Sequence, residues 1–63
     1  MMELIIESWS EPKTGTTYRW SLWQDGKRVR MGGPHKTADV SAHDGTRECE
    51  EEFGRAPDRV TRL

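Results

Sequence analysis

The chain has one cysteine, Cys49, so no disulfide can form within it. No stretch approaches the ~20 apolar residues that a membrane-spanning helix requires. Neither Cys-x-x-Cys nor His-x-x-x-His occurs. His43 and Cys49 stand six residues apart, on different sides of a helix, so no metal-ligand spacing is present. The only glycine pair, Gly32-Gly33-Pro34, is not followed by the Lys-Ser/Thr of a phosphate-binding loop. Ser41, His43 and Asp44 are neighbours in sequence, but on one helix they project in different directions. A nucleophile and its base must lie within hydrogen-bond reach. These absences point away from an enzyme, and away from any cofactor, metal or small-molecule substrate.

What is present is short and charged. Sixty-three residues make a single domain spanning residues 1–63. A chain of this size buries only about 60% of its unfolded surface, which leaves its stability marginal. With disulfide and metal set aside, association with a second copy is the remaining source of extra burial. The stretch Met1-Met2-Glu3-Leu4-Ile5-Ile6-Glu7 has no basic segment before its short apolar run. Together with the lone cysteine, this leads us to expect a soluble protein of the reducing cytoplasm.

Ten basic and eleven acidic residues nearly cancel, whereas a dedicated nucleic-acid domain is usually basic. The charges are nonetheless segregated. Arginines crowd the middle of the chain and its C-terminal segment, and Asp39, Asp44, Glu48, Glu50, Glu51 and Glu52 fall in one intervening stretch.

Met2 to Trp9 alternates as a strand, with Leu4 and Ile6 on one side and Glu3, Ile5 and Glu7 on the other. Ser10 to Thr16 reads as a polar loop, and Thr17 to Gln24 as a second strand rich in β-formers. Asp25-Gly26 suits a two-residue type I′ turn into a third strand, Lys27 to Gly32. Placing Gln24 opposite Lys27 sets Leu22 against Val29 and Trp20 against Met31 as core. It also sets Trp23 beside Arg28 and Ser21 beside Arg30 on the opposite face. Gly32-Gly33-Pro34 is expected to break the strand. Thr37 then caps a helix from Ala38 to about Phe53, with Ala38, Ala42, Gly45-Thr46, Cys49 and Phe53 inward. Gly45 suggests close packing by a large side chain, with Trp20 as the candidate. Gly54 and Ala56-Pro57 end the helix, and Asp58 to Leu63 forms a last short strand with Val60 inward.

Tyr18-Arg19-Trp20-Ser21-Leu22, Asp25-Gly26, Lys36-Thr37-Ala38, Asp44-Gly45 and Ala56-Pro57-Asp58, in this order and spacing, resemble the YegP-like family. That family comprises small bacterial and archaeal domains of unknown function. The resemblance covers most of the chain from Gly15 onward. Arg30-Met31-Gly32-Gly33-Pro34 and His35 depart from the family pattern. The resemblance implies an α+β fold, a β-β-β-α-β unit with one helix packed on one face of an antiparallel sheet. It also implies exchange of the C-terminal strand in a homodimer, which makes Arg59, Val60, Thr61, Arg62 and Leu63 the candidate dimer-forming residues. The family brings no established activity.

Partner-binding candidates gather on the sheet face opposite the helix: Arg19, Trp23, Arg28, Arg30 and Trp9, with Ile5 nearby and Arg59 or Arg62 at the margin. Tryptophan and arginine are enriched at protein interface hot spots. The expected function is a non-catalytic binding or accessory module that meets another protein and acts as a homodimer. An alternative is nucleic-acid binding by the arginines and Trp23. A second alternative is a small inhibitor of a host protein, borne by a phage or mobile element, whose acidic helix docks on a basic surface. Alongside these stand bland readings: a solvated helix surface for the acidic run, a self-paired Trp23–Arg28 face, and an Asp39–His43 pair along the helix.

Overall fold

Alternation in the first segment makes a strand with two unlike sides, and the Asp25-Gly26 turn folds its successors beside it. The computed structural model describes residues 1–63. It comprises β1 (Met2–Glu11), β2 (Gly15–Gln24), β3 (Lys27–His35), α1 (Ala38–Phe53) and β4 (Arg59–Arg62). The architecture is α+β, a four-stranded sheet in the order β3-β2-β1-β4 with one helix. Asp25 and Gly26 take φ of 50° and 83°, as a type I′ turn needs.

The sheet is mixed rather than wholly antiparallel. β1–β2 and β2–β3 are antiparallel, whereas β4 runs parallel to β1, with Leu4 opposite Val60. The helix is the reason. Its sixteen residues carry the chain back about 24 Å, at 1.5 Å per residue, to the end of the sheet where β1 starts. Asp58 fastens that return. Its carboxylate accepts from the Met2 amide at 2.7 Å and its own amide donates to the Met2 carbonyl at 2.8 Å. Within the single chain, then, Arg59 to Leu63 lie against their own β1, and the Leu63 amide donates to Ile6.

Three strands are longer than their composition suggests. Ser10-Glu11 and Gly15-Thr16 pair with each other, which reduces the expected loop to Pro12-Lys13-Thr14. β3 continues through Gly32-Gly33-Pro34 to pair His35 with Tyr18. Proline is tolerated there because β3 is an edge strand, and one side of its backbone has no ladder to join.

The β2–β3 register holds at Gln24–Lys27 and Trp23–Arg28, then shifts. Leu22 faces Arg30, Ser21 faces Met31 and Trp20 faces Gly32. Val29 is the extra residue of a bulge, and Arg30, Met31 and Gly32 move to the other face; a second shift, between the Trp20–Gly32 and Tyr18–His35 pairs, restores the original alternation at His35. Met31, expected in the core, is 61% exposed on the face away from α1. Val29 is half-buried against the core, and Arg30 moves to the helix side.

The core is Met2, Leu4, Ile6, Trp20, Leu22 and Cys49, flanked by Tyr18, Val29, Ala38, Ala42 and Phe53. The Thr37 hydroxyl accepts from the Val40 amide at 3.1 Å. Gly54 closes the helix at φ 70°, its amide donating to Glu50 at 2.9 Å. The buried line of α1 is Ser41, Gly45 and Cys49, so it runs through a serine that the apolar pattern passes over.

Trp20 fills the space between sheet and helix. A Cβ on Gly32 would lie 2.5 Å from its Cζ2, and one on Gly45 would lie 3.1 Å from its ring and 2.6 Å from Leu4 Cδ1. The indole Nε1 donates to Asp44 Oδ2 at 2.8 Å. The same oxygen meets His35 Nε2 at 3.0 Å, and Arg47 donates to Oδ1 at 2.9 Å. The Trp20 bond, then His35 and Arg47, hold the Asp44 carboxyl below its ordinary value against a partial burial that opposes them.

Two outcomes follow. Gly32→Ala must push a methyl into a buried ring and should lose about 1–3 kcal/mol in urea denaturation. Gly45→Ala should lose less, because helix propensity returns about 1 kcal/mol; equal, neutral results for both would contradict the slot. Glu3, Asp44 and Asp58 all have lowered carboxyl pKa values, from Thr61 and Arg59, from Trp20, and from the Met2 amide respectively. The folded state therefore binds these protons less readily than the unfolded one. Their contribution is present above the ordinary carboxylate range and is lost as pH falls through and below about 4. Denaturation midpoints should stay level from neutrality to mild acid and then drop; a midpoint that rises on acidification would contradict the assignment.

Candidate functional site

The helix covers one face of the sheet, and the other face is open. Alternation along β1 and β2, with the bulge in β3, arranges that open face in rows. One row runs Arg28, Trp23, Glu3, Arg59 and the next Met31, Ser21, Ile5, Thr61. Arg19 then stands opposite Glu7, and Thr17 opposite Trp9. Ile5, Trp9, Trp23 and Met31 thus share one surface with three arginines and two glutamates.

Of the residues expected here, Arg19, Trp23, Arg28 and Trp9 are brought together and Arg30 is not. The Val29 bulge turns Arg30 toward α1, where it reaches Glu52 at 3.3 Å and lies 5.7 Å from the centre of the Phe53 ring. There it offsets part of a glutamate run placed unfavourably at a helix C-terminus with no basic residue of its own. Met31 takes its place on the open face. Alternation continued through β3 could not reveal this, because the bulge has no marker in the sequence.

The marginal arginines also separate. Arg59 stays on the open face, donating to Glu3 at 3.1 Å, and Thr61 donates to the same oxygen at 2.7 Å. Arg62 points to the helix side and donates to Asp39 at 2.7 Å. Asp39 is thus occupied by Arg62 rather than by His43. Val60 is 48% exposed and Leu63 75%.

Trp23 and Arg28 are cross-strand neighbours as expected, but the stacked pair on this face is a different one. The Arg19 guanidinium lies 5.3 Å from the centre of the Trp9 ring. Trp23 Nε1 donates to the Ser21 hydroxyl at 2.8 Å, and Ser21 is buried. A depression of about 240 Å³ has Glu7, Trp9, Arg19, Ser21, Arg28 and Met31 in its lining. A wider groove of about 660 Å³ lies elsewhere, between Thr14–Thr17 of the hairpin and Pro34–Lys36, and Val40 is its apolar contact.

The chemically versatile side chains do not converge. Ser41 is fully buried, His43 is exposed, and Asp44 is engaged by three donors. Cys49 is fully buried, and desolvation raises its thiol pKa, which disfavours the reactive thiolate. No helix is long and apolar enough to cross a membrane.

The two β3 arginines should respond unequally to truncation. Arg30→Ala should lose about 0.5–1 kcal/mol through the exposed Glu52 pair and the Phe53 contact. Arg28→Ala should change stability by no more than about 0.5 kcal/mol. The reverse order in thermal or urea melts would overturn the bulged register. In comparisons with known proteins, no family model, no curated protein and no solved structure matches this chain.

Proposed function

We propose that the chain is a non-catalytic protein-interaction module that presents the open face of its sheet to a partner. The observation that carries this reading is the grouping of Trp9, Trp23, Met31 and Ile5 with Arg19 and Arg28 on a face no other element covers. Trp9 is 49% and Met31 61% exposed. An aromatic and apolar centre interleaved with arginine is the composition of interface anchors. The buried, thiol-form Cys49 is compatible with work in a reducing compartment.

Nucleic-acid binding draws less support. Arg30 has left the face, Arg59 is held by Glu3, and Glu7 adds a second carboxylate that a polyanion would meet. A phosphate backbone favours an unbroken basic track, and this face alternates in sign.

The YegP-like reading also stands as a proposal. Trp20, Asp44 and Gly45, three of the residues that carry the resemblance, meet in one contact. Homodimerisation goes with it. Only nine of 63 residues are buried, and a second copy would add burial. Exchange of β4 would reuse, between chains, the same pairs from Glu3–Arg59 to Ile6–Arg62.

The test places a photo-crosslinking benzoylphenylalanine at Met31 in one protein and at Glu51, on the outward side of α1, in another. Met31 should yield a discrete product with another protein that Trp23→Ala removes, while Glu51 yields none. Equal capture at both positions, or capture at Met31 that ignores Trp23, would overturn the proposed face. A product containing two copies of the chain would instead assign the face to the homodimer.

A further inference from the structure

Seven arginines are present, and five have a carboxylate within 4 Å: Arg30 with Glu52, Arg47 with Asp44, Arg55 with Asp58, Arg59 with Glu3 and Arg62 with Asp39. The two left over are Arg19 and Arg28. They come from different strands and line the same depression on the open face. Glu7, the only acid in that depression, lies opposite Arg19 in the ladder yet forms a salt bridge with neither arginine.

Arg19 shows a second feature. Its Nε is shielded from solvent and has no acceptor. A buried donor on a charged group without a partner is costly, and no internal ion pair has to be broken before the outer Nη groups of the same guanidinium take up an acceptor. The guanidinium is already positioned, because Trp9 stacks on it at 5.3 Å. Preorganisation of this kind reduces the side-chain entropy lost on binding.

We propose that Arg19 and Arg28 form a carboxylate-binding site, which takes an acidic side chain of a protein partner seated between Trp9 and Met31. This rests on the reading of the open face as a protein-interaction surface. A guanidinium fork matches a carboxylate in two parallel hydrogen bonds, and a second arginine alongside adds charge without a further acceptor. Trp9 and Met31 supply apolar walls that suit the methylene stem of a glutamate. A nucleic-acid strand fits less well. Trp9 already stacks on Arg19, and Glu3 and Glu7 interrupt the path on which successive phosphates would lie.

The experiment is an NMR titration of the 15N-labelled protein at low salt, following the side-chain N–H signals of Arg19 and Arg28 and the Trp9 indole. The probes are the capped tripeptide Ac-Leu-Glu-Leu-NH2, its glutamine counterpart, and a short oligothymidylate. The glutamate peptide should shift all three signals saturably, and the glutamine peptide should not. Arg19→Gln and Arg28→Gln, with the remaining spectrum unchanged, should each weaken the response about tenfold, as expected for loss of one charge-assisted hydrogen bond. Equal shifts with the glutamine peptide, no saturable shift, or tighter and salt-steep binding of the oligothymidylate would overturn the site. Photo-crosslinking at Met31 separates this failure from failure of the face itself. Capture that survives the Arg19→Gln/Arg28→Gln double variant removes the carboxylate site and leaves the interaction face. Absence of any capture removes the face, and the peptide shifts then decide the site alone.

Discussion

The Trp20 indole lies between two stretches of backbone that carry no side chain, Gly32 on β3 and Gly45 on α1. Everything else in the domain is arranged around that contact. The ring is the largest side chain in a core of only six residues, and replacing a buried tryptophan with alanine typically costs about 3–5 kcal/mol. For a domain this small that is of the order of the whole stability. Asp44 anchors the indole nitrogen and, through His35, also holds the end of β3 to the helix. One carboxylate thus ties the third strand, the helix and the central side chain together. The domain compensates for its small core by concentrating its contacts at one point.

That concentration has a consequence for the surface. Because one helix satisfies the inner face, nothing in the chain is left to cover the other. The residues there are not inert filler. Trp23 is turned over Ser21 by a hydrogen bond, Arg19 is stacked on Trp9, and Glu3 is engaged by Arg59 and Thr61. The face is therefore largely preorganised, and the two arginines without carboxylate partners stand out against five that have them. A preorganised surface with unspent donors is suited to recognition, and the proposed function rests on this property.

Much of the fold was legible in the residues. Alternation in Met2–Ile6 placed Leu4 and Ile6 inward, Asp25-Gly26 announced the hairpin, and Thr37 and Gly54 bounded the helix where the structure bounds it. Gly45 correctly signalled the approach of Trp20, because a glycine inside a helix requires a packing reason. Three features were not legible. The Val29 bulge leaves no compositional trace, so plain alternation puts Met31 and Arg30 on each other's faces. The parallel placement of β4 follows from the length and direction of the helix, a three-dimensional property that local patterns do not encode. The partners of Asp39 and Glu3, and two of the three partners of Asp44, come from distant strands, and sequence proximity suggests a different pair, Asp39 with His43. For the candidate site, alternation alone identifies the tryptophans and two of the three central arginines; that Arg19 and Arg28 lack carboxylate partners depends on where side chains from other strands fall in three dimensions.

Exchange of the three indole N–H protons with solvent tests the account most directly, because it reads the proposed division between a clamped core and an open face in one spectrum. Trp20 should be the slowest of the three by a wide margin, exchanging only when the whole domain unfolds, with Trp23 intermediate through Ser21 and Trp9 fastest. A Trp20 proton that exchanges as fast as that of Trp9 would contradict the clamp, and with it the assignment of which face of the sheet is free.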